Sequence, residues 1–214
     1  MKAETSRIFD ELFERHPALG GCRGDVLAAF EVLLSSFLAG GKALLCGNGG
    51  SAADAEHIVG ELMKSFKRRR PVPRRVADAL AAQGRDGAAL VEILEGALPA
   101  VSLVSMSGLV TAFANDVSWE TVFAQQVLGL AKEGDVLIAL STSGNSADCV
   151  AAARVAKAAG ARTIAFTGAR ESKLSEVCDV ALRVPETETF KVQELHLPLY
   201  HAICAMLEAE MFGE

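Results

Sequence analysis

Five short apolar runs, separated by stretches of helical spacing, leave this chain few ways to fold. The runs are Ala43–Cys46, Val101–Val104, Val136–Leu140, Thr163–Phe166 and Val180–Val184. Continuous apolar runs of this length are buried on both faces, as the strands of a parallel sheet are, and parallel strands need crossover helices between them. Residues 107–115, 118–131, 146–159 and 171–177 supply such helices. The expected class is α/β: a three-layer, doubly wound, mainly parallel five-stranded sheet preceded by N-terminal helices, all within one domain spanning 1–214. Residues 4–16 place Ile8, Phe9, Leu12 and Phe13 at helical spacing, and residues 24–39 do the same with Val26, Leu27, Phe30, Leu33, Leu34 and Phe37. Pro17 and Gly20-Gly21 separate these two helices, and Gly40-Gly41 ends the second. From Glu188 a closing helix is rich in Leu, Ile, Met and Ala.

Half of the 214 residues are apolar and 22% are charged, which suits a well-filled core and excludes global disorder. A formal net charge of −6 argues against a general nucleic-acid binder. Anionic small molecules stay open, because phosphate is held by local backbone geometry. Cys22, Cys46, Cys149, Cys178 and Cys204 show no C-x-x-C spacing and read as reduced thiols of a cytoplasmic protein. The first residues carry no signal-peptide apolar run, and no window reaches the ~18 apolar residues of a membrane span. A soluble protein without membrane contact is expected.

Residues 67–100 stand apart. Six of the nine residues from Lys67 to Arg75 are basic, and an Ala-rich helical stretch follows, broken at Gly84 and Gly87. The segment reads as an insertion between the first crossover helix and the second strand. Three roles fit: a solvated, mobile rim, a lid whose Arg68, Arg69 and Arg70 meet a substrate phosphate, or a patch that docks an acidic partner.

Two strand-to-helix junctions share one chemistry. Cys46-Gly47-Asn48-Gly49-Gly50-Ser51 and Ser141-Thr142-Ser143-Gly144-Asn145-Ser146 each follow an apolar run and open a helix. Glycine lets the backbone turn tightly, the free N–H groups of the helix start attract an anion, and serine hydroxyls donate to its oxygens. Serine also serves ordinary capped turns, but four hydroxyl residues in six favour phosphate at the second loop. Gly47-x-Gly49-x-x-Ala52 also fits a loosened dinucleotide fingerprint, which wants an acidic residue about 20 positions on. Lys67-Arg68-Arg69-Arg70 stands there instead.

His57 and Glu61 lie four residues apart, on one face of the helix behind the first loop. They can share a proton relay, a divalent metal or a surface ion pair. In the last helix Gln193, Glu194, His196 and His201 interrupt apolar sequence. Spacing alone makes His196 partly exposed and His201 a satisfied core histidine, and Pro198 predicts a kink near Glu194.

Gly47-Asn48-Gly49-Gly50-Ser51-x-x-Asp54-x-x-His57-x-x-x-Glu61, the loop from Ser141 to Ser146, and Gln193-Glu194-x-His196 through His201 together resemble the phosphoheptose isomerases of the sugar-isomerase (SIS) fold. The likeness covers nearly the whole chain apart from residues 67–98. It implies an aldose–ketose isomerase converting sedoheptulose 7-phosphate to D-glycero-D-manno-heptose 7-phosphate. By position, Ser51, Ser141, Thr142, Ser143 and Ser146 would surround the phosphate, with Gly49 and Gly50 in the same loop region. Asn48, Asp116 with its neighbour Asn115, and Gln193 would meet sugar hydroxyls, and Glu61 with His201 would be the acid–base pair. Some members bind zinc, at positions corresponding to His57, Glu61, Gln193 and His201. Members are homotetramers with active sites at subunit interfaces, a role that residues 1–40 would serve. Two departures bear on the substrate: the basic insertion, and Phe190 where many members have aspartate. The alternatives are an isomerase of another sugar phosphate, or a non-catalytic SIS module for a sugar phosphate or protein partner. Such a protein-binding relative lacks Glu and His at the positions of Glu61 and His201, and sugar-sensing regulators usually add a DNA-binding domain.

Overall fold

The computed structural model describes residues 1–213. Strands β1 (Ala43–Gly47), β2 (Ala100–Ser102), β3 (Val136–Leu140), β4 (Arg162–Thr167) and β5 (Val180–Arg183) form one sheet in the order β2-β1-β3-β4-β5. Every neighbouring pair is parallel. All five expected strands are present, with ends shifted by one or two residues. The helices are α1 (Ala3–Arg15), α2 (Arg23–Leu38), α3 (Gly50–Met63), α4 (Arg74–Ala81), α5 (Arg85–Ile93), α6 (Ser107–Asp116), α7 (Val122–Leu130), α8 (Ala147–Ala158), α9 (Lys173–Val177) and α10 (Thr189–Phe212). The helix expected over 118–131 is instead a 3₁₀ turn at Trp119–Thr121 followed by α7.

The period-two alternation of strand side chains divides the core into two layers. Leu45, Ile138, Leu140, Ile164, Phe166 and Leu182 pack with α1, α2, α3 and α10. Leu44, Cys46, Leu137, Ala139 and Ala165 pack on the opposite face with α7 and α8. Helix α10 continues through Pro198, and its residues from Leu199 to Ala209 are buried except His201. It is a core helix and not a surface amphipath, so its sequence shows no clean polar face. All five cysteines are free thiols. Among the described residues no helix is long and apolar enough to cross a membrane.

The insertion is a helical hairpin on a tight stem. The Gly96 N–H donates to the Arg70 carbonyl at 3.0 Å, so the chain leaves and returns at one point. Helix α4 buries none of its residues, and α5 buries only Gly87. The expected break at Gly87 does not occur: a side chain there would collide with the Leu80 carbonyl of α4, so glycine serves close packing inside a helix. Gly84, at φ +90°, makes the turn. The basic run divides: Lys67, Arg69, Arg74 and Arg75 are exposed, whereas two of its arginines are anchored to the body of the fold. Arg70 is fully buried, Arg68 pairs with Glu4, and Arg69 donates to the Glu92 carbonyl.

Because the hairpin packs on itself, replacing residues 74–91 with a short glycine–serine link should leave the body folded. The thermal midpoint should move by no more than ~4 °C, equivalent to about 1 kcal/mol in a chain of this size. Loss of a cooperative transition would show that the hairpin supports the core.

Candidate functional site

Strands β1 and β3 are neighbours, paired as far as Gly47 with Leu140, so the loops that follow them emerge side by side. This is the point where strand order reverses, the usual ligand crevice of such sheets. Gly49, at φ +55°, turns the first loop into α3. The two loops are tied together: Asn48 Nδ2 donates to Asp148 Oδ2 at 2.8 Å. A carboxylate only accepts, so this bond fixes the Asn48 amide and leaves its Oδ1 for a ligand hydroxyl. In the second loop Ser141 Oγ and Ser146 Oγ lie 2.9 Å apart, and Asn145 accepts from the Lys173 backbone N–H at 3.1 Å. Thr142 and Ser143 line a cleft of about 150 Å³ with Arg170 and Glu186.

From these loops α3 and α10 run alongside each other in the same sense. At the start Gln193 lies directly on Gly50, where a Cβ would come within 2.5 Å of Gln193 Nε2. Further along, the Tyr200 hydroxyl bridges Asp54 Oδ1 (3.1 Å) and His57 Nδ1 (3.0 Å). Beyond them His57 Nε2 lies 3.3 Å from Glu61 Oε1 and 3.4 Å from His201 Nε2. The Phe66 ring flanks His201 at 5.5 Å between centroids.

One donor atom from each of His57, Glu61 and His201 falls within a 4.8 Å cluster, a group able to hold a metal ion. Two imidazole Nε2 atoms at 3.4 Å must share one proton or one cation between them. The spacings of 3.3 and 3.4 Å match the edge of a tetrahedron with metal–ligand bonds of about 2.0–2.1 Å, so the nitrogen and oxygen donors fit zinc. Tyr200 and Asp54 behind His57 supply the outer support that orients a ligating imidazole. Burial lowers the pKa of His201, aided by the neighbouring His57. Burial also raises that of Asp54, against the hydrogen bond from Tyr200.

The structure thus gathers Asn48, Gly49, Gly50, Ser51, Ser141, Thr142, Ser143, Ser146 and Gln193 around the crevice, and His57, Glu61 and His201 along the seam. Asn115 and Asp116 are the exposed last residues of α6, where they bond to each other. The two histidines of α10 exchange the roles that spacing gave them. His196 is fully buried, with Nε2 3.3 Å from the Thr167 carbonyl, while His201 is half-buried and opens onto the seam. The reason is the sheet: His196 faces β4, where its ring also meets Phe166, while His201 faces His57 on α3. Sequence reasoning gave no role to Asp148, Tyr200 or Arg170. Asp54 stood in the first motif without a role, and its i, i+3 spacing to His57 was the available signal.

The SIS domain family matches this chain over residues 106–211 and again over residues 22–96. The chain is 41% identical over 184 residues to the phosphoheptose isomerase of Burkholderia pseudomallei, covering 86% of this chain and 81% of that protein. It is 34% identical over 209 residues to the phosphoheptose isomerase of Thermodesulfovibrio yellowstonii, covering 98% and 89%. The solved phosphoheptose isomerase of Neisseria gonorrhoeae superposes with a TM-score of 0.71 at 32% identity, over 97% of this chain and 94% of that one.

Burial pushes His196 down to about 4 from its ordinary 6.5. The unfolded chain therefore binds one more proton than the folded chain between those values, so this stabilisation is complete above pH 6.5 and drains as pH falls toward 4. Urea unfolding at pH 7 and pH 4.5 measures it. His196→Gln should lose less stability over that interval than the native chain, by on the order of 2–3 kcal/mol. An equal loss in both would mean His196 does not titrate this way.

Proposed function

The chain belongs to the phosphoheptose isomerase family, and on that footing we propose that it interconverts sedoheptulose 7-phosphate and D-glycero-D-manno-heptose 7-phosphate through an enediol. The observation that carries the reading is the meeting of one carboxylate and two imidazoles on the seam leading away from the paired loops. His57 stands seven residues along α3 from Gly50, ~10 Å at 1.5 Å per residue. An extended seven-carbon chain with a terminal phosphate, built from bonds of ~1.5 Å, spans about the same distance. Phosphate bound by Ser51, Ser141, Thr142, Ser143 and Ser146 would therefore leave C1 and C2 among Glu61, His57 and His201. Gln193, Asn48 and Asp148 behind Asn48 support the hydroxyls between.

Glu61 takes a proton from C1 of the ketose. The electron pair forms the C1–C2 double bond as the C2 oxygen gains a proton from His201. Glu61 then returns a proton to C2, and His201 recovers the proton of the C1 hydroxyl, leaving the aldehyde. Glu61 is only 12% exposed, so little water competes with the substrate for its carboxylate. His201, kept neutral by burial, can donate and accept at the two oxygens without first losing a proton. A zinc ion would be held by His57, Glu61 and His201 and would supply Lewis-acid polarisation of the substrate oxygens; Gln193, the fourth ligand that the resemblance implies, lies instead at the level of Gly50.

A homotetramer is favoured by α6, which buries none of its residues and leaves Leu109, with Val117 and Trp119 just beyond, exposed. Contact between subunits would cover them and could bring Asn115 and Asp116 to a neighbour's crevice. The free cysteines suit a cytoplasmic location. Phe190, exposed at the first turn of α10, favours as second reading an isomerase of a different sugar phosphate.

Glu61→Gln should lower kcat on sedoheptulose 7-phosphate by about 10²–10⁴-fold, the range of a general base, while the ligand still raises the thermal midpoint. Turnover at the native rate in that variant removes Glu61 from the chemistry. Stabilisation by the ligand without turnover in the native chain would direct attention to another sugar phosphate.

A further inference from the structure

Helix α3 ends at Met63, and the last carbonyls of any helix have no partner within it. Two of those carbonyls belong to Glu61 and Leu62. Arg70 reaches both: Nη2 donates to the Glu61 carbonyl at 2.8 Å and Nη1 to the Leu62 carbonyl at 2.6 Å. Its Nε donates to Glu208 Oε1 on α10 at 2.8 Å. The guanidinium is fully buried and Glu208 is 1% exposed. The remaining capacity of the Glu208 carboxylate is taken by the backbone N–H groups of Phe66 (2.8 Å), Lys67 (2.8 Å) and Arg68 (3.2 Å).

A buried ion pair is often no better for stability than an apolar pair of equal volume, so its presence asks for another reason. Only a planar fork can meet two successive carbonyls and a carboxylate together. Its positive charge also suits a helix C-terminus. The consequence falls on Glu61, whose side chain leaves this last turn. His57, one turn earlier, is anchored separately by Tyr200. Phe66, held through its N–H on Glu208, is the ring that flanks His201. One buried pair therefore sets the carboxylate and the flank of the imidazole.

We propose that Arg70 and Glu208 are positioning residues that hold the last turn of α3 helical, so that the Glu61 carboxylate faces His57 and His201. The proposal rests on Glu61 being the base. Arg70→Lys keeps the charge and a bond to Glu208, but one ammonium cannot hold both carbonyls as the fork does. Assayed well below its unfolding midpoint on sedoheptulose 7-phosphate, Arg70→Lys should lose about 10–100-fold in kcat, as small misplacements of reacting groups do, with KM within about two-fold. Amide hydrogen exchange at residues 61–63 should quicken while residues 54–57 keep their protection. Val180→Ala, on edge strand β5 away from the seam, serves as the control: it should lower stability and leave kcat unchanged. If Arg70→Lys fails to fold, Glu208→Gln, which keeps an oxygen for the backbone donors, reads the same split. A folded variant with native kcat, or with native exchange at residues 61–63, overturns the proposal. If the native chain itself shows no turnover, the isomerase reading fails, and exchange alone then decides the positioning claim.

Discussion

Helix α10 can lie along the first turn of α3 because Gly50 has no side chain: a Cβ there would press into the Gln193 amide. From that contact onward the two helices share a register. Asp54 meets Tyr200, His57 meets Tyr200 and His201, and the end of α3 meets Glu208 through Arg70. Each contact puts a polar group of one helix against its counterpart on the other, at successive levels along one seam. A shift of one helix by a single residue would rotate these side chains by about 100° and separate the pairs.

The sheet delivers this seam to the right place. With β1 and β3 adjacent and parallel, the loops after them open together, and the Asn48–Asp148 bond makes them one rim. Helix α3 starts at that rim, so the crevice and the carboxylate of Glu61 are joined by a rigid rod. Helices are well suited to carry such a constellation, since their side chains are fixed by packing and not by loop conformation. The core beneath α3 and α10 is closely packed, with Ile58, Leu62, Tyr200, Ile203 and Leu207 all buried. Polar groups on the seam are thus ordered by the apolar groups beside them.

Much of this was legible in the sequence because it depends on local pattern. Apolar runs bounded by glycine and serine marked the strands, and the spacing of His57 and Glu61 placed them on one helical face. What escaped depends on partners distant in the chain. Arg70 lies in a run of basic residues that pattern reads as solvated, and only the fold brings Glu208, 138 residues on, against it. His196 and His201 differ in burial because one faces β4 and the other the border of α3, which their spacing does not contain. Asp148 and Tyr200 carried no motif; their meaning comes from Asn48 across the crevice and His57 across the seam. The family resemblance pointed to Glu61 and His201 as the proposed acid–base pair, while the geometry supplied what stands behind each of them.

The central claim is that a proton, moved by a carboxylate on this seam, passes between C1 and C2 of a phosphorylated ketose. Turnover of sedoheptulose 7-phosphate by the native chain in deuterium oxide, followed by nuclear magnetic resonance, tests it most directly. The aldose product should carry deuterium at C2, and the recovered ketose should gain label gradually at C1, since a carboxylate exchanges its proton with solvent. Product that forms without any deuterium on carbon would indicate hydride transfer and contradict the account.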